Sequence, residues 1–132
     1  MNIKSSKELV DRALKEIKTL EPNEVKELEN KKQCTLIDIR DIRELWREGT
    51  IKGSLHIPRG MLEFWMDPQS QYYSPSKFPK EKILIIFCAA GMRSALATKT
   101  LKDMGYKNIA HVNGGFGSLV TQGFEVVTKE KK

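Results

Sequence analysis

Cys88 and Arg93 are separated by Ala89, Ala90, Gly91 and Met92, and Ser94 follows at once. A thiol and a permanent cation are thus joined by a short loop that adds no competing charge. The five residues before the thiol, Ile83, Leu84, Ile85, Ile86 and Phe87, are continuously apolar, as a strand buried on both faces must be. Residues 93–104 read as an amphipathic helix that ends at Gly105, a residue suited to the position after a helix. A thiol at the carboxyl end of a strand and before a helix N-terminus meets backbone N–H groups and the positive end of the helix dipole. Both favour a negative charge. A free cysteine has a pKa of roughly 8.5, and such a setting can lower it towards the range where thiolate dominates. The stretch therefore reads as a mount for a nucleophile. The same residues also fit a cysteine that merely closes a buried strand, since unpaired cysteine is among the most buried residue types.

The neighbours of Cys88 have separate uses. Gly91 gives the loop one position free to take a positive φ. Arg93 can hold an anion, or pair with a nearby acid on the surface. Ser94 is expected to cap the helix. Asp38 and Arg40 close another β-branched run, Thr35 to Arg40, and are expected to support the loop from the same sheet edge. Arg59 is the outside candidate for a second anion contact, against plain solvent exposure. His56 and His111 lie on predicted strands and read as structural. Cys34 reads as a packing residue rather than a resolving thiol. Phe64, Trp65, Tyr72, Tyr73 and Phe78 fall in an irregular segment. Such aromatics usually pin a long loop to the core; the sharper expectation is that Phe64 and Trp65 wall the mouth of the site.

The elements that must position these residues alternate along the chain. Residues 5–20 repeat apolar side chains at helical spacing, with Ser5 or Ser6 as cap. Pro22 opens a second helix through residue 30. Strands are predicted at 35–40, 54–58, 83–87 and 108–112. Helices are predicted at 41–47, 93–104 and 116–122, with a helical turn or two at 61–66. Strands alternating with helices predict a small α/β domain. A central parallel sheet is flanked by helices on both faces, with an extra N-terminal helix. The expected division is a helical extension over residues 1–21 and the main domain over 22–132.

Bulk composition narrows the function. A chain of 132 residues with 39% hydrophobic content is long enough to bury a core. No stretch approaches the roughly 20 apolar residues of a membrane span. Residues 1–8 have no apolar stretch of the kind a secretory signal needs. Two cysteines are too few for a disulfide framework. A cytoplasmic setting, with no membrane partner, is the expectation. The net charge of +6 is carried in large part by lysines near the ends and in loops, such as Lys31, Lys32, Lys129, Lys131 and Lys132. With no Arg-rich helix and no basic–aromatic stripe, no nucleic-acid partner is expected. No metal site and no cofactor are expected.

Four blocks in this order resemble the rhodanese (sulfurtransferase) domain family over about residues 22–127. They are Leu36-Ile37-Asp38-Ile39-Arg40-Asp41 with Glu44-Leu45; Gly49 to Pro58; Phe87-Cys88-Ala89-Ala90-Gly91-Met92-Arg93-Ser94; and Asn113-Gly114-Gly115-Phe116 with Gly123-Phe124. The chain departs from the family pattern at Thr50, where histidine is usual, at Ser54, where alanine is common, and at Leu119, near a usual tryptophan. The run from Pro58 to Trp65 resembles a single-domain, bacterial-type variant. The resemblance implies a rhodanese-like fold and a thiosulfate-type sulfurtransferase. Cys88 would take the outer sulfur of a small anionic donor, forming a persulfide. A thiol, cyanide or a protein thiol would then accept it. Backbone N–H groups of Ala89, Ala90, Gly91, Met92 and Arg93 would converge on the sulfur, with Arg93 on an oxyanion of the donor. A sulfur carrier or a regulatory rhodanese-like binding module are alternatives, although the binding modules commonly lack the cysteine. Cysteine-dependent phosphatases and arsenate reductases resemble the loop less well, because they place five residues between Cys and Arg.

Overall fold

The computed structural model describes residues 2–131, so Met1 and Lys132, the outer ends of the two expected units, lie outside it. The apolar run forms strand β5 (Ile83–Phe87), with all five residues buried. It is central in a five-stranded sheet. The spatial order is β1 (Thr19–Leu20), β6 (Ile109–Val112), β5, β2 (Cys34–Asp38) and β4 (Leu55–His56). Every pair in that sheet is parallel. The α-helices of the described chain are α1 (Ser6–Glu16), α2 (Pro22–Asn30), α3 (Ile42–Glu48), α4 (Leu62–Trp65), α5 (Met92–Met104) and α6 (Gly115–Thr121).

The pleat explains the two layers. Alternate residues of a strand point to opposite faces. Leu36, Ile85 and Phe87 pack with Val25 of α2 and Leu119 of α6. Ile37, Ile39, Leu84 and Ile86 pack with Leu62 of α4 and with Ala97 and Leu101 of α5. Each fully buried aliphatic side chain contributes about 1.5–3 kcal/mol. The expected sheet with helices on both faces is therefore present. Helix α1 lies on the outside of α5, where Val10 and Ala13 meet Ala95. Ser5 caps it by accepting from the Glu8 N–H at 3.0 Å.

Register brings the candidate residues to one edge. Cys34 sits beside Ile83 at the start of the central pair, and Asp38 beside Phe87 at its end. Ile39 N–H then donates to the Phe87 carbonyl at 3.0 Å. The chain leaving β2 and the chain leaving β5 thus emerge side by side.

Three elements differ from expectation. The first helix ends at Glu16 and not near residue 20, because Ile17 is extended and Thr19–Leu20 form the edge strand β1. Thr19 is β-branched and Glu21 precedes a proline, both of which disfavour helix. Leu20 also gains burial in the α2 layer of the core. Second, β3 (Thr50–Ile51) and β7 (Val126–Val127) form a separate antiparallel pair that the local pattern does not announce. Third, the strand expected over 54–58 is confined to Leu55–His56. Among the described residues, no helix is long and apolar enough to cross a membrane.

Candidate active site

Cys88 is the first residue after β5 and is almost fully buried. Its Sγ accepts the N–H of Gly91 at 3.1 Å and of Ser94 at 3.3 Å. Two backbone donors thus converge on one sulfur. Gly91 makes this possible: at φ +117° it is the residue before α5, a backbone state that side chains with a Cβ rarely take. Ala89, Ala90 and Met92 are exposed around the sulfur's loop.

The loop is clamped from below by the turn that leads into α6. Phe116 N–H donates to the Cys88 carbonyl at 2.8 Å. Gly115, at φ +61°, approaches so closely that a Cβ there would stand 2.5 Å from the Cys88 carbonyl oxygen. Beside Phe116 lies the Arg40 guanidinium, 4.0 Å from the ring centroid. Arg40 and Asp38 are both fully buried. Arg40 donates to Asp38 through Nη2 at 2.8 Å and Nε at 3.0 Å, and to the Gly49 carbonyl at 2.8 Å. Thr50, the departure noted above, donates its hydroxyl to Asp38 Oδ2 at 2.7 Å. His56 Nε2 donates to the Arg40 carbonyl at 2.7 Å. Arg40 thus reaches the loop through Phe116, and Asp38 holds Arg40 in place.

The expected cap role of Ser94 is corrected by the structure. Helix α5 begins at Met92, with Gly91 in the cap position, so Ser94 lies inside the first turn. Its backbone N–H serves the thiol, and its hydroxyl bonds the Gly91 carbonyl at 3.2 Å and His111 Nδ1 at 3.0 Å. The far side of that ring, Nε2, meets Thr19 Oγ1 at 2.9 Å. A carbonyl only accepts, so the Ser94 hydroxyl donates to Gly91. His111 Nδ1–H then donates to Ser94, and Thr19 donates to Nε2. Ser94 and His111 were the residues whose partners sequence reasoning missed. The signal is a histidine inside an otherwise apolar strand, since buried polar groups need partners.

Burial holds the His111 imidazole below its ordinary pKa. The unfolded chain therefore binds a proton near pH 6.5 that the folded chain does not, and stability falls as pH drops through that value. We expect His111→Asn, which keeps a donor towards Ser94, to flatten the decline in unfolding free energy between pH 7 and pH 5. An unchanged slope in denaturant titrations would rule out His111 as its source.

Arg93 is not free. Its Nη1 donates to Glu44 Oε1 at 2.7 Å and its Nη2 to Oε2 at 3.1 Å. The Arg93 hydrogen bond holds the Glu44 carboxyl below the usual carboxylate range, against the opposing effect of burial. Arg59 is held by Glu63 at 2.8 Å and by Thr100 at 3.3 Å. Thr100 lies two turns along α5 from the loop, roughly 12 Å, so the structure does not bring Arg59 to the thiol. Cys34 lies at the opposite end of the central strand pair, roughly 16 Å from Cys88 at about 3.3 Å per residue, beyond disulfide reach. Its thiol donates to Glu29 at 3.3 Å, and burial together with that carboxylate pushes its pKa up to about 12. Trp65 packs on the core and lines a cleft of about 120 Å³ with Leu55, Tyr72 and Phe78. No residue of the 88–94 loop lines that cleft, and Trp65 pins its segment to the core. Among the described residues, no cluster of three His, Cys, Asp or Glu could hold a metal ion.

The model of the rhodanese-like domain family matches residues 21–121. A protein of unknown function from Rhodopseudomonas palustris, described as a possible tyrosine phosphatase, is 42% identical in sequence. That match covers 96% of this chain and 97% of the other, with a TM-score of 0.87. The polysulfide-sulfur transferase homodimer of Wolinella succinogenes is 30% identical over 93% of this chain and 87% of its own, with a TM-score of 0.72. The thiosulfate sulfurtransferase/rhodanese-like domain-containing protein 3 of Mus musculus is 34% identical over 74% of this chain. This chain spans 65% of that relative's length, less than two thirds.

Proposed function

Because the chain belongs to the rhodanese-like domain family, we propose that it moves a sulfane sulfur from a donor such as thiosulfate to a thiophilic acceptor through a persulfide on Cys88. The observation that carries the reading is the pair of N–H groups, from Gly91 and Ser94, converging on a single buried sulfur. The Cys88 thiolate attacks the outer sulfur of thiosulfate. A new S–S bond forms, the donor's S–S bond breaks, and sulfite leaves with the electron pair. The anionic persulfide then gives its outer sulfur to cyanide or a thiol and regenerates the Cys88 thiolate. No outside oxidant or reductant is needed. On this reading the loop amides of Ala89, Ala90, Met92 and Arg93 would receive the transferred sulfur, and Arg40, itself held by Asp38, would steady the loop's base through Phe116.

The spacing supports sulfur over phosphorus. Four residues separate Cys88 from Arg93, where the phosphatase and arsenate reductase loops have five, and a shorter loop suits one sulfur atom better than a tetrahedral phosphate. A second substrate binding after the first product leaves gives ping-pong kinetics. Initial rates with varied thiosulfate and cyanide should give parallel double-reciprocal lines. Lines that intersect would mean a ternary complex and would count against the persulfide route.

A further inference from the structure

The described loop carries one charged side chain, Arg93, and the resting site has already neutralised it. Glu44 is the fixed member of the pair. Its carboxylate accepts both Arg93 nitrogens and also the Asp41 backbone N–H at 3.2 Å. Its side chain is 17% exposed against 43% for Arg93. The Asp41 bond belongs to a capping box in which Asp41 caps α3 and Glu44 answers it, which fixes where the carboxylate stands. Glu44 thus reaches from the start of α3 to Arg93, the loop residue next to the Ser94 N–H that serves the Cys88 sulfur.

Resting on the sulfurtransferase reading, we propose that Glu44 is the specificity-determining residue for donor charge: a dianionic oxyanion donor binds only by displacing the Glu44 carboxylate from Arg93, so the site favours persulfides that bring no oxyanion. The physical reason is direct. A tetrahedral dianion needs the guanidinium fork that Glu44 occupies bidentately, and it also meets the repulsion of a carboxylate at contact range. An alkyl persulfide needs neither. Its outer sulfur enters the amide cradle, the Cys88 thiolate forms the new S–S bond, and the alkyl thiolate leaves with the electrons of the old one.

Glu44→Gln tests this cleanly, because glutamine keeps the capping-box bond to Asp41 while removing the charge. Two donors are compared in the purified full chain: thiosulfate and the persulfide of 2-mercaptoethanol, which has no charged group besides its sulfur. The ratio of kcat/KM for thiosulfate to that for the persulfide should rise about tenfold, through the thiosulfate KM, towards the lower end of what one like charge at contact range exerts. Glu44→Asp, which keeps the charge, should stay close to the wild-type ratio. A second arm does not depend on turnover. Sulfate should protect Cys88 from iodoacetamide at about tenfold lower concentration in Glu44→Gln than in the wild type. An unchanged donor ratio, a change confined to kcat, or equal sulfate protection would overturn the role of Glu44. Failure of both donors to load Cys88 in the wild type would instead overturn the sulfurtransferase reading, and the sulfate arm would still decide the role of Glu44.

Discussion

Cys88→Ser should reduce thiosulfate:cyanide sulfur transfer at least about a thousandfold, to the uncatalysed background, while leaving the fold in place. Serine is nearly isosteric, and its oxygen can still accept the N–H groups of Gly91 and Ser94 that now reach the sulfur. The clamp from Phe116 to the carbonyl of residue 88 is a backbone bond and is unaffected. What is lost is the chemistry: an alkoxide is not available near neutral pH, and oxygen cannot hold a sulfane sulfur as a persulfide does. Cys34 cannot substitute, being at the other end of the sheet with its thiol held protonated by burial and Glu29. The assay is thiocyanate formation, paired with a thermal unfolding curve. Turnover retained in a folded Cys88→Ser protein would remove Cys88 as the nucleophile.

The second large effect is on stability. Arg40→Met should destabilise the protein by about 3–5 kcal/mol, the range for removing one partner of a buried ion pair. The Asp38 carboxylate would remain fully buried with only the Thr50 hydroxyl and the backbone N–H of residue 40 as donors. The Gly49 carbonyl would lose its bond from the guanidinium, and the Phe116 ring would lose the cation stacked on it. Adding Asp38→Asn to Arg40→Met should recover part of the loss, since the uncompensated charge is then gone. Chemical denaturation of the two variants measures both numbers. A loss below about 1 kcal/mol for Arg40→Met would mean that the pair does not carry the weight assigned to it.

Much of the fold around the candidate site is legible because its signals are local. A strand buried on both faces must be a continuous apolar run, so β5 and the position of Cys88 at its end could be read directly, as could α5 and the glycine that stops it. The parallel sheet followed from alternation of strand and helix. What escaped were pairings that no local pattern carries. Leu20 continues the apolar stripe of α1, and a two-residue strand, Thr19–Leu20, is too short to show alternation. Thr50–Ile51 and Val126–Val127 meet only through the tertiary fold. Ser94 was misread because a serine near a helix start suggests a cap, whereas Gly91, free to take a positive φ, starts the helix one turn earlier. Glu44 stands in the first of the four blocks, yet its pairing with Arg93 depends on β2 and β5 ending side by side.

The central claim is that Cys88 carries the sulfur, and the mass of the intact protein tests it most directly. Incubation with thiosulfate followed by mass spectrometry should show a gain of one sulfur atom, located on the peptide that contains Cys88 and discharged by cyanide. An unchanged mass in a protein that nevertheless turns thiosulfate over, or sulfur found on Cys34, would contradict the account.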